Sequence, residues 1–217
     1  KKCIKKHLNK IKNNKINYSE KVIKINKKNK YEIITEKSKY LYDIIIDASY
    51  EGSNSILRKF DKKTKYKYQL VFIFEFVTKS FNRLGLAIMD GNFFSFLPNG
   101  YKNKHIFYHV KHSILHEKAY HKYPTRWILN KKVMKKISNL EKKILKDVKK
   151  YFPKLKIKIT GEKFISPRVL PINQEKTDRR VSSIEEISKN YFKIISAKVD
   201  HSVDIAQKIK NIISNLC

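Results

Sequence analysis

The sequence predicts an α+β protein, because strand-like and helix-like patterns occupy different parts of the chain. Between residues 21 and 110, short apolar runs alternate with polar residues and turn signals, which is typical of antiparallel strands. The period then changes to that of a helix, with an apolar stripe made by Val133, Ile137, Leu140, Ile144 and Val148. A final helical pattern occupies residues 202–216.

The first predicted elements are a helix and a small meander. Apolar residues at helical spacing predict a short amphipathic helix within residues 1–16. The runs 21–27 and 31–37 predict a hairpin whose turn is Lys28-Asn29-Lys30. The run 41–48, with Ile44-Ile45-Ile46 at its centre, predicts the third strand of the meander.

The middle of the chain predicts a larger antiparallel sheet. A long strand is expected over 66–78, followed by strands at 86–89, 93–97 and 106–110. The pairs Asp90-Gly91 and Asn99-Gly100 are turn signals between them. Pro153 ends the central helix, after which we predict a strand at 155–165, a rigid turn at 167–171, an exposed loop at 173–180 and a strand at 190–196.

The composition is strongly basic. Lys and Arg total 50 against 19 Asp and Glu, a net charge of +31, and only six of the 50 are Arg. The lysines are spread along the whole chain, and abundant Lys, Ile and Asn are the residues of A/T-rich codons. Sites that read phosphates or bases favour the arginine fork, so we expect compositional bias and no specific nucleic-acid partner.

The positions of the cysteines and the hydropathy of the sequence indicate the cellular compartment of the protein. Cys3 and Cys217 stand at opposite ends of the chain, which argues against a disulfide framework and fits a reducing compartment. No apolar run approaches the roughly 20 residues that a transmembrane helix needs. We therefore expect a cytoplasmic protein without a transmembrane segment.

Two strand ends have the small and polar residues that let a ligand approach the backbone. The first is Asp47-Ala48-Ser49, which closes an apolar run and precedes a polar, turn-forming segment at 51–55. The second is Ala197-Lys198-Val199-Asp200, which joins a predicted strand directly to the final helix. The start of that helix offers free N–H groups and a positive dipole end, and Asp200 is expected to cap it.

The histidines of residues 105–116 raise the question of a metal site. Their spacing would place His105, His109, His112 and His116 on one face of a helix. The surrounding β-branched and aromatic residues predict a strand instead, on which the first two histidines point one way and the last two the other. We therefore predict no metal site.

In this order, residues 40–57, 86–100 and 190–209 resemble the later two-thirds of an FAD-dependent oxidoreductase of the D-amino-acid oxidase and glycine oxidase type. The family's opening GxGxxG turn does not occur in this sequence. The resemblance implies a partial, Rossmann-like FAD/NAD(P)-binding domain with a β-meander, formed by residues 1–60 and 171–217. Residues 61–170 would form an antiparallel substrate domain. Together with a first residue that is not Met, the resemblance leads us to expect a fragment of a longer protein.

The resemblance also implies roles for individual residues. The adenine of FAD would contact Val22. Other parts of FAD would contact the two strand ends, which are formed by Asp47, Ala48, Ser49, Ala197, Lys198, Val199 and Asp200. The family usually has Gly where Ala197 stands. Arg168, or as second choice Arg180, would bind the substrate carboxylate, and Tyr108 or His112 would orient the substrate. The implied reaction is hydride transfer from a C–N or C–O bond of a small, anionic substrate to the flavin.

Two alternatives remain open. The chain could be a lysine-rich module that binds nucleic acid or anionic surfaces without catalysis, which a contiguous lysine face beside exposed aromatic residues would favour. It could also be a flavoprotein relic that keeps the fold and has lost activity, which Ala197 and the expanded spacing before Asp178 would fit.

Overall fold

The structure, a computed structural model, describes residues 15–56, 64–88, 93–100, 103–127, 132–172, 182–196 and 198–216. Over these residues the protein is α+β, with mostly antiparallel strands and few helices, as predicted. The predicted N-terminal helix, the Asp90-Gly91 turn and the loop at 173–180 lie outside the described residues. No described helix combines the length and the apolar composition that crossing a membrane requires.

The predicted meander is present, with one correction. Strands β1 (Val22–Lys27), β2 (Tyr31–Thr35) and β3 (Lys39–Tyr42) form an antiparallel three-stranded sheet. The run 41–48 is not a single strand, because β3 ends at Tyr42 and β4 (Ile45–Asp47) pairs elsewhere. Side chains alternate between the two faces of β4, so Ile45 and Asp47 are buried and Ile46 is 45% exposed. The run Ile44-Ile45-Ile46 is therefore only partly buried.

Strand β4 belongs to a second three-stranded sheet. It runs parallel to β12 (Tyr191–Ile195), which in turn pairs with β11 (Ser183–Ser188) in an antiparallel hairpin that the sequence did not predict. Between β4 and β5, a 3₁₀ turn (Tyr50–Gly52) leads into a short helix, α1 (Ser53–Ile56).

The largest sheet is built around β5 (Tyr66–Val77), the long strand expected at 66–78. The order is β10-β5-β8-β7-β6, and β9 also pairs with β5. The other strands are β6 (Leu86–Ala87), β7 (Phe94–Pro98), β8 (Lys104–His109), β9 (Ile114–Tyr120) and β10 (Lys158–Pro171). Every pairing in this sheet is antiparallel, as the close spacing of the runs predicted.

One face of this sheet carries an aromatic core beneath the central helix, α2 (Lys132–Tyr151). The even-numbered residues of β5 point into it, because successive strand residues face opposite sides. The helix contributes the predicted stripe, and Pro153 follows its end. Fully buried rings fill the space between them: Phe72, Phe74, Phe76, Phe94, Phe96 and Phe107.

Strands β8 and β9 act as one long strand interrupted by a tight excursion at residues 110–113. Both run antiparallel to β5, β8 along residues 74–77 and β9 along residues 66–71. Ser113 closes the excursion, since its N–H donates to the His109 carbonyl and its hydroxyl accepts the His109 N–H. The prediction that the histidines of residues 105–116 lie on one uninterrupted strand was therefore wrong.

Strand β10 continues through the segment predicted as a rigid turn. Pro167 and Pro171 are paired with Leu70 and Tyr66 in the ladder, so the turn at 167–171 was a wrong prediction. Proline is tolerated here because β10 is an edge strand, where a missing N–H can face away from its single neighbour. The Val169 N–H donates instead to the Tyr50 hydroxyl at 2.9 Å, which ties the 3₁₀ turn to this edge.

The last helix, α3 (Ser202–Ser214), is where the sequence predicted it. A 3₁₀ turn (Val199–His201) precedes it, and its N-cap is His201 without a side-chain hydrogen bond. Capping by Asp200 was therefore a wrong prediction. Ile205 and Ile209 form the buried face.

Candidate functional site

The face of the large sheet that points away from α2 is apolar and partly open to solvent. Cross-strand partners share a face, so β5, β7, β8 and β10 contribute to it together. Leu97 and Phe164 are 50% and 44% exposed on it. An apolar face of this kind that carries convergent polar groups is a default candidate for a ligand site.

Arg168 and Tyr108 meet on this open face. Arg168 Nη1 donates a hydrogen bond to the Tyr108 hydroxyl, and its guanidinium carbon lies 5.6 Å from the centre of the tyrosine ring. Arg168 Nε donates to Gln69 Oε1 at 2.6 Å. Gln69 is the residue of β5 that lies opposite Arg168 in the sheet. The structure thus brings together two residues that are 60 positions apart and for which the same family resemblance implied roles at the substrate.

The partners of Arg168 are neutral oxygen atoms. Among the residues that the structure describes, no carboxylate lies within ion-pair distance of its guanidinium, whereas Glu75 on the same face is paired with Lys104 at 2.9 Å. A guanidinium held by an amide oxygen and a hydroxyl keeps its full charge for an anionic ligand. The arrangement can bind a carboxylate.

His112, the third predicted catalytic residue, does not lie at this site. The excursion at 110–113 carries it to α2, where His112 Nε2 lies 3.1 Å from Asp147 Oδ2. Its ring centre is 4.6 Å from that of His109, so the prediction that these two histidines face opposite ways was wrong. The register also turns His116 toward the covered face, where its ring stacks on Trp127.

His109, His112 and Asp147 have ligand atoms within 4.8 Å of one another, which makes the group a candidate metal site. The hydrogen bonds of His109 argue against it. Its Nδ1 accepts the backbone N–H groups of Lys111 and His112, so the ring proton of the neutral form is on Nε2. A metal-binding histidine normally uses its second nitrogen as a donor, and here that nitrogen is an acceptor.

The charges of this group support a structural role. Burial lowers the pKa of His109, and the neighbouring His112 lowers it further, so His109 stays neutral. The hydrogen bond from Lys150 lowers the pKa of Asp147, and His112 adds to that effect. A neutral His109 beside an ionised Asp147 connects the excursion to α2.

Two predicted cofactor residues, Val22 and Ser49, line one cavity of about 780 Å³. The meander forms one wall through residues 21–25, and Gly52, Ser55 and Ile56 form another. Lys21, Lys24 and Lys122 add positive charge. The volume is within the range of about 300–1,000 Å³ that is usual for ligand sites.

Asp47 and Ala48, the other predicted cofactor residues of this strand end, are not among the residues that line the cavity. The Asp47 carboxylate accepts hydrogen bonds from Ser49 N–H, from the hydroxyls of Ser49 and Ser53, and from Tyr191. This buried carboxylate therefore closes the turn after β4, and Ala48 beside it is exposed. Asp47 positions Ser49 at the cavity rather than presenting its own oxygen atoms to a ligand.

The second predicted strand end is described only in part. Ala197 lies outside the described residues, as do Arg179 and Arg180. Lys198 and Asp200 are exposed, and Val199 begins the 3₁₀ turn before α3. Ser196 Oγ donates to the Lys198 carbonyl at 3.1 Å, which bends the chain between strand and helix.

Sequence reasoning missed Gln69, Glu117 and Asp147. Gln69 had a visible signal, because it is a polar residue inside the apolar alternation of β5. The roles of Glu117 and Asp147 depend on pairing across strands and on helix placement, which a single sequence does not specify.

A scan against protein-family models finds no model that matches this chain. A search of curated proteins finds no significant match either.

Proposed function

We propose that this chain is part of an FAD-dependent oxidoreductase of the D-amino-acid oxidase type, acting on a small anionic amine or hydroxy substrate. The observation that carries the proposal is the contact between Arg168 and Tyr108 on the open, apolar face of the large sheet. Buried or half-buried arginines are usually paired with carboxylates, and this one is held by neutral oxygens. Its charge remains available to a substrate.

In this proposal the residues of the open face bind and orient the substrate. Arg168 binds the substrate carboxylate through its planar fork, and the Tyr108 hydroxyl contributes a further hydrogen bond. The apolar side chains of Ile73, Ile106 and Phe164 limit the access of water to the reacting carbon. When bound, the flavin supplies the hydride acceptor.

The cavity at Val22 and Ser49 is the place for the adenine-nucleotide part of FAD in this proposal. Its apolar wall suits a base, and its three lysines suit phosphates. The parallel pair of β4 and β12 supports the Rossmann-like assignment of this region, although the GxGxxG turn that usually binds the pyrophosphate is absent from this sequence. Domain boundaries near residues 60 and 170, and a cytoplasmic location, are part of the same proposal.

The test is the visible absorption spectrum of the protein, expressed with any sequence that precedes Lys1 in its natural reading frame. Flavin absorption that survives gel filtration, and that is bleached anaerobically by a small amino or hydroxy acid, is the expected result. Arg168→Lys is the control variant, since it should retain the flavin and lose bleaching at low substrate concentration. A colourless protein that takes up no added FAD would refute the proposal.

A second candidate function follows from the outer face of α2. Lys135, Lys142, Lys143, Lys146 and Lys149 are exposed there, and Tyr151 at the helix end is 55% exposed. This is the contiguous basic face beside an aromatic residue that favours polyanion binding. Binding of a nucleic-acid probe at physiological salt that is lost when these five lysines become Gln would support it, provided that it is kept when five exposed lysines of the meander (Lys27, Lys28, Lys30, Lys37 and Lys39) are changed instead.

A further inference from the structure

We propose that Gln69 is a positioning residue that holds Arg168 in place while preventing Glu117 from neutralising it. This inference rests on the proposed function, because it assigns Arg168 to the binding of a substrate anion. Gln69 is only 3% exposed, and its side chain stands between the arginine of β10 and the glutamate of β9.

The hydrogen bonds of Gln69 fix its orientation. Arg168 Nε can only donate, so the amide oxygen of Gln69 must face it, at 2.6 Å. The amide nitrogen then faces the opposite way and donates to Glu117 Oε2. An ionised carboxylate can only accept, so each end of the amide has the partner that its chemistry requires.

A neutral spacer between these two charged residues has an electrostatic consequence. A direct pair between Arg168 and Glu117 would use the guanidinium's charge within the protein. With the amide in between, Glu117 does not contact Arg168 and weakens its attraction for an anion only through a longer-range electrostatic interaction. Glu117 is also paired with Lys67 at 3.7 Å. Two cationic side chains and one carboxylate give this group a net charge of plus one, which matches a ligand with one negative charge.

The experiment exchanges the two residues in the double variant Q69E/E117Q. The exchange conserves composition, net charge and the number of hydrogen bonds, and it reverses the direction of the bond between positions 69 and 117. In the variant, Arg168 can donate to the carboxylate at position 69, and the amide at position 117 can donate to that same carboxylate. The negative charge moves from one residue away to direct contact with Arg168, and Lys67 loses its ion-pair partner at position 117. The probe is sodium acetate, titrated into the full chain and followed by NMR, so the measurement requires no flavin.

We expect the exchange to weaken acetate binding about tenfold or more, because the new carboxylate makes a charge-assisted hydrogen bond that acetate must replace. The single variant Glu117→Gln, which keeps the spacer and removes the competing charge, should bind acetate severalfold more tightly than the wild type. Circular dichroism and the thermal midpoint serve as checks that both variants fold. If the exchange variant does not fold, the single variant alone decides.

Acetate binding by the exchange variant within twofold of the wild type would overturn the inference. An unchanged or weaker affinity in Glu117→Gln would do the same, as would a wild-type chain that binds no acetate. If the proposed flavoenzyme function is wrong but the role of Gln69 is right, the two experiments give a different combination of results. In that case the protein takes up no flavin, while acetate binding still depends on residues 69 and 117 in the expected order.

Discussion

The ion pair between Lys193 and Glu185 gives the sharpest prediction for stability. The Lys193 side chain has no exposed surface, and its Nζ lies 2.8 Å from Glu185 Oε2 and 3.2 Å from Thr64 Oγ1. The ammonium group also lies 5.3 Å from the centre of the Tyr66 ring. Burial acts to lower the pKa of Lys193, but the hydrogen bonds to Glu185 and Tyr66 and the charges of these two groups together outweigh it, so the pKa is raised and the lysine stays charged.

The two halves of this pair should not be equivalent. Glu185→Gln leaves an ammonium group buried without its counter-charge, which we expect to cost about 3 kcal/mol of unfolding free energy. Lys193→Met replaces the lysine with an apolar chain of similar length. Glu185 then still accepts from the Thr64 hydroxyl and can hydrate, because its side chain is 32% exposed. The cost of that variant should be about 1–2 kcal/mol.

Urea titration at neutral pH measures both costs, and a thermal scan should show Glu185→Gln lowering Tm by about 6–12 °C. The raised pKa of Lys193 sets the sign of the pH dependence. Its contribution is complete below the unfolded pKa of about 10.4 and is lost as pH rises through the folded value. The gap between wild type and Glu185→Gln should therefore narrow at high pH. The reasoning is refuted if Lys193→Met is the more destabilised variant at neutral pH.

Three further predictions concern the candidate site and its surroundings. Tyr108→Phe removes one hydrogen-bonding group and should weaken acetate binding about two- to tenfold in an NMR titration, whereas Arg168→Ala should abolish it. Val22→Trp fills part of the cavity and should weaken ADP binding in equilibrium dialysis while leaving acetate binding unchanged. Because the pKa of Asp147 is lowered, its stabilising effect is present at neutral pH and lost as pH falls through the folded value, so Asp147→Asn should lose less stability than the wild type in acid denaturation.

The sequence predicted those parts of the fold that depend on local pattern. The alternation in β5 and the 3.6-residue period in α2 are both long, and each matched the structure closely. Turn composition placed the β1–β2 hairpin correctly. These features are set by which face of an element is apolar, and that is readable from one segment at a time.

The errors have a common physical origin in sheet pairing. Pro167 and Pro171 suggested a turn, and only the edge position of β10 makes them compatible with a strand. The excursion at 110–113 changes which face each following residue takes, and the pairing with β5 decides where it falls. At the candidate site, the family resemblance pointed to Arg168, whereas Gln69 was missed because its role depends on partners on two neighbouring strands.

The outer edge of β10 is also poorly suited to accept another strand. In an antiparallel edge strand, alternate residues present their N–H groups outward, and around Arg168 these are residues 167, 169 and 171. Two of the three are prolines without an N–H, and the third donates to the Tyr50 hydroxyl. Over this stretch no outward-facing backbone N–H is free to pair with an incoming chain, so the apolar face beside this edge carries less risk of aggregation through strand addition.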